Sequence, residues 1–72
     1  MTEDSFGRRL KAALNSRHMM QKELAEKVGL NENAISRYIH GGRIISTPIL
    51  IDICKALNVS ADYLLGLSEV AE

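Results

Sequence analysis

The chain is expected to fold as an all-α domain, and three observations carry that expectation. Apolar residues recur at three- and four-residue spacings along the chain. Start and stop residues divide it into five short helical segments. No segment alternates with period two for long enough to make a strand. At 72 residues the chain reads as one domain, residues 1–72, with no repeats or linkers. A core this small supplies roughly 3–5 kcal/mol of net stability.

The first helix is expected from about Ser5, which can cap it, to about Arg17. Leu10 and Leu14 share one face, with Phe6 one turn earlier and Ala13 beside them. The second runs from Gln21 to Val28, with Leu24, Ala25 and Val28 inward. Gly29 then supplies the left-handed conformation that ends a helix cheaply. Asn31 is a good N-cap for the third, Glu32 to about His40, whose inward residues are Ile35 and Ile39 with Tyr38 at the side. Gly41-Gly42 stops it, and Arg43 to Ser46 forms a loop. Thr47 followed by Pro48 reads as a capping hydroxyl and a first-turn proline, opening a fourth helix to about Leu57. That helix turns Leu50, Ile53, Cys54 and Leu57 inward, and Asn58 can end it. Ser60 caps a fifth helix, about residues 61–67, with Asp62 in its first turn and Tyr63, Leu64, Leu65 and Leu67 along it.

Composition narrows the function classes. A single cysteine, Cys54, argues for a reducing compartment and against a disulfide scaffold. The longest apolar run, Ile49–Ile51, is far short of the ~20 residues that cross a bilayer. The opening MTEDSFG lacks the apolar segment of a signal peptide. A cytoplasmic setting and no membrane partner are expected. Formal net charge is zero, yet Gly7 to Arg43 holds eight of the nine basic residues and only three of the nine acidic ones. The middle is basic and both ends are acidic, so a neutral chain can still present a basic face. Arg8, Arg9 and Lys11 read as a solvated face of the first helix. Cys54 reads as a small buried hydrophobe. His18 has no second ligand at metal spacing, so neither a metal nor another cofactor is expected. Without a paired-carboxylate cleft or a Gly-rich phosphate loop, an enzyme is not expected.

The joint between the second and third helices poses the functional question. Two helices linked by about three residues, one of them glycine, must cross steeply. Ala25 is small where the backbones approach, and Leu24, Val28, Leu30 and Ile35 lock the angle. The outward face of the third helix is then Asn33, Ser36, Arg37 and His40, with Glu32 at its start. These are short or planar polar groups suited to base edges.

At this point the sequence resembles the helix-turn-helix domains of phage Cro and repressor proteins, the XRE-like family. The matching residues are Gln21, Leu24-Ala25, Val28-Gly29-Leu30, Asn31, Ile35-Ser36 and Gly41, then Ala56-Leu57-Asn58-Val59-Ser60 and Asp62-Tyr63-Leu64-Leu65. The resemblance covers about Phe6 to Leu67. It implies a compact five-helix, lambda-repressor-like bundle that binds two-fold operator DNA as a homodimer, third helix in the major groove. Carried over by position, Asn33 is placed for adenine and Arg37 for guanine. Glu32, Ser36 and His40 lie along the same groove. Gln21, Lys22, Asn31 and Arg43 are the expected phosphate contacts. Tyr63 and Leu67 are expected to border the dimer interface. The loop GGRIIS carries only Arg43, where such loops in phage repressors are often basic. Ile44 and Ile45 there can pack or form a protein contact.

The function implied is that of a small transcriptional regulator, a repressor of a phage or mobile-element promoter. A controller of a restriction-modification operon and the DNA-binding part of a longer repressor with a further C-terminal domain fit the same residues. The other reading is a protein-interaction module, such as an antitoxin or an antirepressor-controlled switch.

Overall fold

A computed structural model describes residues 6–40 and 44–70. It contains α1 (Phe6–Ser16), α2 (Gln21–Val28), α3 (Glu32–His40), α4 (Thr47–Leu57) and α5 (Ala61–Leu64). The second and third helices have the bounds expected from their caps. Gly29 ends α2 at φ 75°, its N–H on the Ala25 carbonyl, and Leu30 N–H donates to the same oxygen at 2.9 Å. One residue further on, Asn31 Oδ1 accepts the Ala34 N–H at 2.8 Å and opens α3. One helix is therefore closed and the next opened within three residues, and α2 and α3 pack against each other.

The core is the shared inner surface of all five helices. Leu10 and Leu14 of α1, Leu24 of α2, Ile35 of α3, Ile53 and Leu57 of α4 and Leu64 of α5 are its large, fully buried side chains. α2 packs on α3 and α4, while α1 packs on α3 and α5. α3 is therefore pinned from two sides, and its remaining face is left to solvent.

The left-handed ending recurs after α4 and after α1 at residues other than glycine. Asn58 closes α4 at φ 56° with its N–H on the Cys54 carbonyl. His18 adopts φ 55° after α1, with Met19 N–H on the Leu14 carbonyl at 2.9 Å. Asn and His are among the non-glycine residues that tolerate this region.

Five expectations need correcting. First, α1 ends at Ser16, one residue before Arg17, because the chain turns at His18. Second, Ser46, at φ −80° and ψ 157°, holds the N-cap position of α4, and Thr47 is already helical. Pro48 could not distinguish these, since neither of the first two helical amides has an intrahelical acceptor. Third, α5 stops at Leu64 rather than Leu67. Gly66 turns left-handed at φ 85°, and Leu67 N–H folds back to the Asp62 carbonyl at 2.8 Å. Fourth, Tyr38 lies in the core and not at its side. Fifth, Arg9 is not on a solvated face. It is 5% exposed and donates from Nη1 to the carbonyls of Tyr63 and Ser68, both at 3.1 Å, and from Nη2 to Glu69 Oε2 at 3.0 Å. Its guanidinium lies 5.1 Å from the centre of the Tyr63 ring. One buried cation thus ties α1 to the chain following α5.

Arg17 is a second internal fastener. Its Nε donates to the Leu57 carbonyl at 2.7 Å and its Nη2 to the Asn58 carbonyl at 2.9 Å, capping the negative end of the α4 dipole. Ser5, Gly41, Gly42 and Arg43 lie outside the described residues, so the expectations for them stand as they were.

Candidate nucleic-acid interface

α3 supplies the central surface. Ile35 and Tyr38 are buried and set its rotation, which leaves Asn33 and Arg37 exposed and one turn apart on the opposite side. Glu32 and His40 are also exposed, and Ser36 is half-buried between them. The base-edge chemistry expected of this stripe needs both features, a rigid helix and side chains free of internal duties.

α2 contributes its N-terminus. Met20 holds the N-cap position, and its N–H donates to Glu23 Oε1 at 3.0 Å. The amides of Gln21 and Lys22 then head the helix without an intrahelical acceptor, at the positive end of its dipole. Gln21 is half-buried and Lys22 exposed. Asn31 is constrained in a useful way. Its side-chain oxygen accepts from the Ala34 N–H, which leaves the NH2 group as the side chain's donor to an anion.

Gln21 and Glu32 line one groove together with Lys11 and Asn15 of α1, while His40 lines a second with Arg8, Lys11 and Asn15. The sequence favours a solvated face for Arg8 and Lys11 over a DNA contact, and both are exposed here. The spacing of residues 8, 11 and 15 places them on one helical face, which was the available signal. Tyr63 and Leu67 lie elsewhere, where α5 and its continuation meet α1. Tyr63 is half-buried beneath Arg9, and Leu67 is 76% exposed. Leu65 and Val70 are exposed beside it in sequence, and Ile44, ahead of α4, is 92% exposed.

The remaining chemistry is sparse. Burial pushes the Cys54 thiol up from its ordinary value, which disfavours the reactive thiolate. Among the described residues no three His, Cys, Asp or Glu side chains are grouped to hold a metal ion, and no helix is long and apolar enough to cross a membrane.

An all-helical core with an exposed stripe on the second of two packed helices joined by three residues defines the helix-turn-helix class. A helix-turn-helix family model matches residues 10–64, and the chain belongs to that family. It is similar to the HTH-type transcriptional regulator ImmR of Bacillus subtilis (strain 168), at 41% identity over 68 residues, covering 94% of this chain and 54% of ImmR. It is also similar to the HTH-type transcriptional regulator PrtR of Pseudomonas aeruginosa, at 43% identity over 61 residues, covering 85% of this chain and 23% of PrtR. The chain thus spans about half of the first relative's length and about a quarter of the second's. Among solved structures, the P22 c2 repressor in complex with synthetic operator 9T superposes with a TM-score of 0.83 at 30% identity, covering 93% of this chain and all of that one.

Proposed function

We infer that this chain is the DNA-binding part of a transcriptional regulator of the phage-repressor type, acting by occupying a promoter site without chemistry. The observation that carries this reading is the α3 stripe. Asn33 and Arg37 are exposed on a helix whose rotation is set by buried Ile35 and Tyr38. The likeness to the P22 repressor, a structure with operator DNA, supports it.

In this reading α3 enters the major groove. Asn33 bonds adenine N6 and N7, and Arg37 bonds guanine O6 and N7 in a bidentate pair. Glu32 accepts from a cytosine amine, and Ser36 and His40 meet the groove wall. Gln21, Lys22, the amide of Asn31 and Arg43 hold the phosphates. The working unit is a homodimer on a two-fold site, with Tyr63 and Leu67 bordering the contact between protomers. The exposed Leu67 supports that placement. The setting is the cytoplasm of a bacterium.

A second reading is favoured by one observation, the 92% exposure of Ile44. In that reading the segment before α4 is a contact for a protein partner that controls the regulator. The test of the main reading is selection of sites from random duplex DNA, followed by titration of wild type, Asn33→Ala and Arg37→Ala. Each substitution should cost ~1–3 kcal/mol and relax preference at one base pair. If both variants bind like wild type, α3 is not the reader.

A further inference from the structure

α1 carries a polar ridge that the reading above does not use. Its buried side is Gly7, Arg9, Leu10, Ala13 and Leu14, and its exposed side bears Arg8, Lys11 and Asn15. The ridge runs beside α3. At one end Lys11 and Asn15 share a groove of about 290 Å³ with Gln21 and Glu32, the residues that open α2 and α3. At the other end they share a groove of about 320 Å³ with Ile39 and His40, which close α3. Lys11 lines both. Gly7 makes the alignment possible, because its missing side chain lets α1 approach the backbone of α3 at Ile39.

We propose that Lys11 is a backbone contact for the duplex that α3 enters, taking a phosphate next to the one held by Gln21. The proposal rests on the DNA-binding reading and extends its contact surface to α1. Charge selects the occupant. Glu32 places a carboxylate in the groove that also holds Gln21, so a phosphate arriving there meets a repulsion. Lys11 is the cation lining that groove. Arg9 and Arg17, two of the bases nearby in sequence, are committed to internal carbonyls, and Arg8 lines the His40 groove rather than the one that holds Gln21. Among the described residues Lys11 has neither an ion-pair nor a hydrogen-bond partner. Its four-carbon stem can carry the ammonium across a shallow groove to a phosphate at the rim. A Lys point charge serves a phosphate oxygen without reading sequence, so the contact adds affinity and register but no base preference.

The test is a salt titration of wild type, Lys11→Gln, Lys11→Arg and Lys55→Gln by fluorescence anisotropy, each on the selected site and on a random duplex. Lys55 lies on α4 in a groove with Lys27 and Asp52, away from α3, and controls for the loss of one charge. Lys11→Gln should reduce the slope of log K against log salt by ~0.9 per bound protomer on both duplexes. That slope implies an affinity loss of about eightfold per protomer at 0.1 M salt. Lys11→Arg should keep the wild-type slope, Lys55→Gln should leave it unchanged, and the preferred sequence should not move.

A wild-type slope for Lys11→Gln overturns the proposal, and so does an equal slope change for Lys55→Gln. These outcomes are distinct from failure of the underlying reading. In that case wild type selects no sequence, yet the slopes on random duplex still decide whether Lys11 touches phosphate. A wild type that binds no duplex at all overturns both.

Discussion

Gly7→Ala sets two well-measured effects against each other. Gly7 lies inside α1, where replacing glycine by alanine in an exposed helix stabilises by about 1 kcal/mol. Here the site is buried against α3. A methyl group built on Gly7 would stand 2.8 Å from the Ile39 carbonyl carbon and closer still to its oxygen. The obstacle is backbone, so no side chain can rotate away, and α1 and α3 must separate. Overpacking of that kind costs about 1–3 kcal/mol, and a contact between two helix backbones belongs at the upper end. The clash therefore wins, leaving a net loss of about 2 kcal/mol out of the ~3–5 kcal/mol available. At ~4–8 °C per kcal/mol, the melting temperature should fall by ~8–16 °C. Urea unfolding followed by circular dichroism reads the free energy directly. The control is Ala12→Gly on the exposed face of the same helix, which should lose only the propensity term, about 1 kcal/mol. If Gly7→Ala unfolds at or above the wild-type midpoint, the close approach of α1 and α3 is wrong.

Two further predictions concern stability. Arg9→Met keeps the buried stem but strands the carbonyls of Tyr63 and Ser68, and should cost about 2–4 kcal/mol in urea unfolding. Glu69→Gln should stay within about 1 kcal/mol, because that carboxylate is 85% exposed; the reverse ranking would mean that the ion pair, not the carbonyl bonds, holds the segment. Burial raises the Cys54 pKa, so the unfolded chain loses the thiol proton first, and stability should decline as pH rises through the ordinary thiol range. Comparing unfolding free energies of wild type and Cys54→Ala across that range checks the sign. An identical pH slope in both proteins would refute it.

The helix-turn-helix itself was legible because its determinants are local. Gly29 and Asn31 fix the end of α2 and the start of α3 through bonds that span five residues or fewer, and both helices have the expected bounds. Asn58 and Ser60 behave the same way around α4 and α5. Where local signals were ambiguous, the reading slipped. Thr47 and Ser46 are both capping hydroxyls beside one proline, and Leu65 to Leu67 looks helical until Gly66 is given its left-handed turn. For the interface, the exposed stripe Asn33–Arg37 follows from the periodicity of α3, because buried Ile35 fixes its back.

The sequence by itself determined the class of fold, the two helices of the joint and the face that α3 presents, since these depend on bonds and spacings within a few residues. Only the tertiary structure decided how the basic residues divide. Arg9 reaches carbonyls 54 and 59 positions away, and Arg17 reaches the end of α4 some 40 positions away. No local pattern separates them from Lys11, which lies beside α3 with no internal partner among the described residues. A guanidinium enters a small core only where several carbonyls converge to replace its water, and that convergence exists only once distant helices have packed.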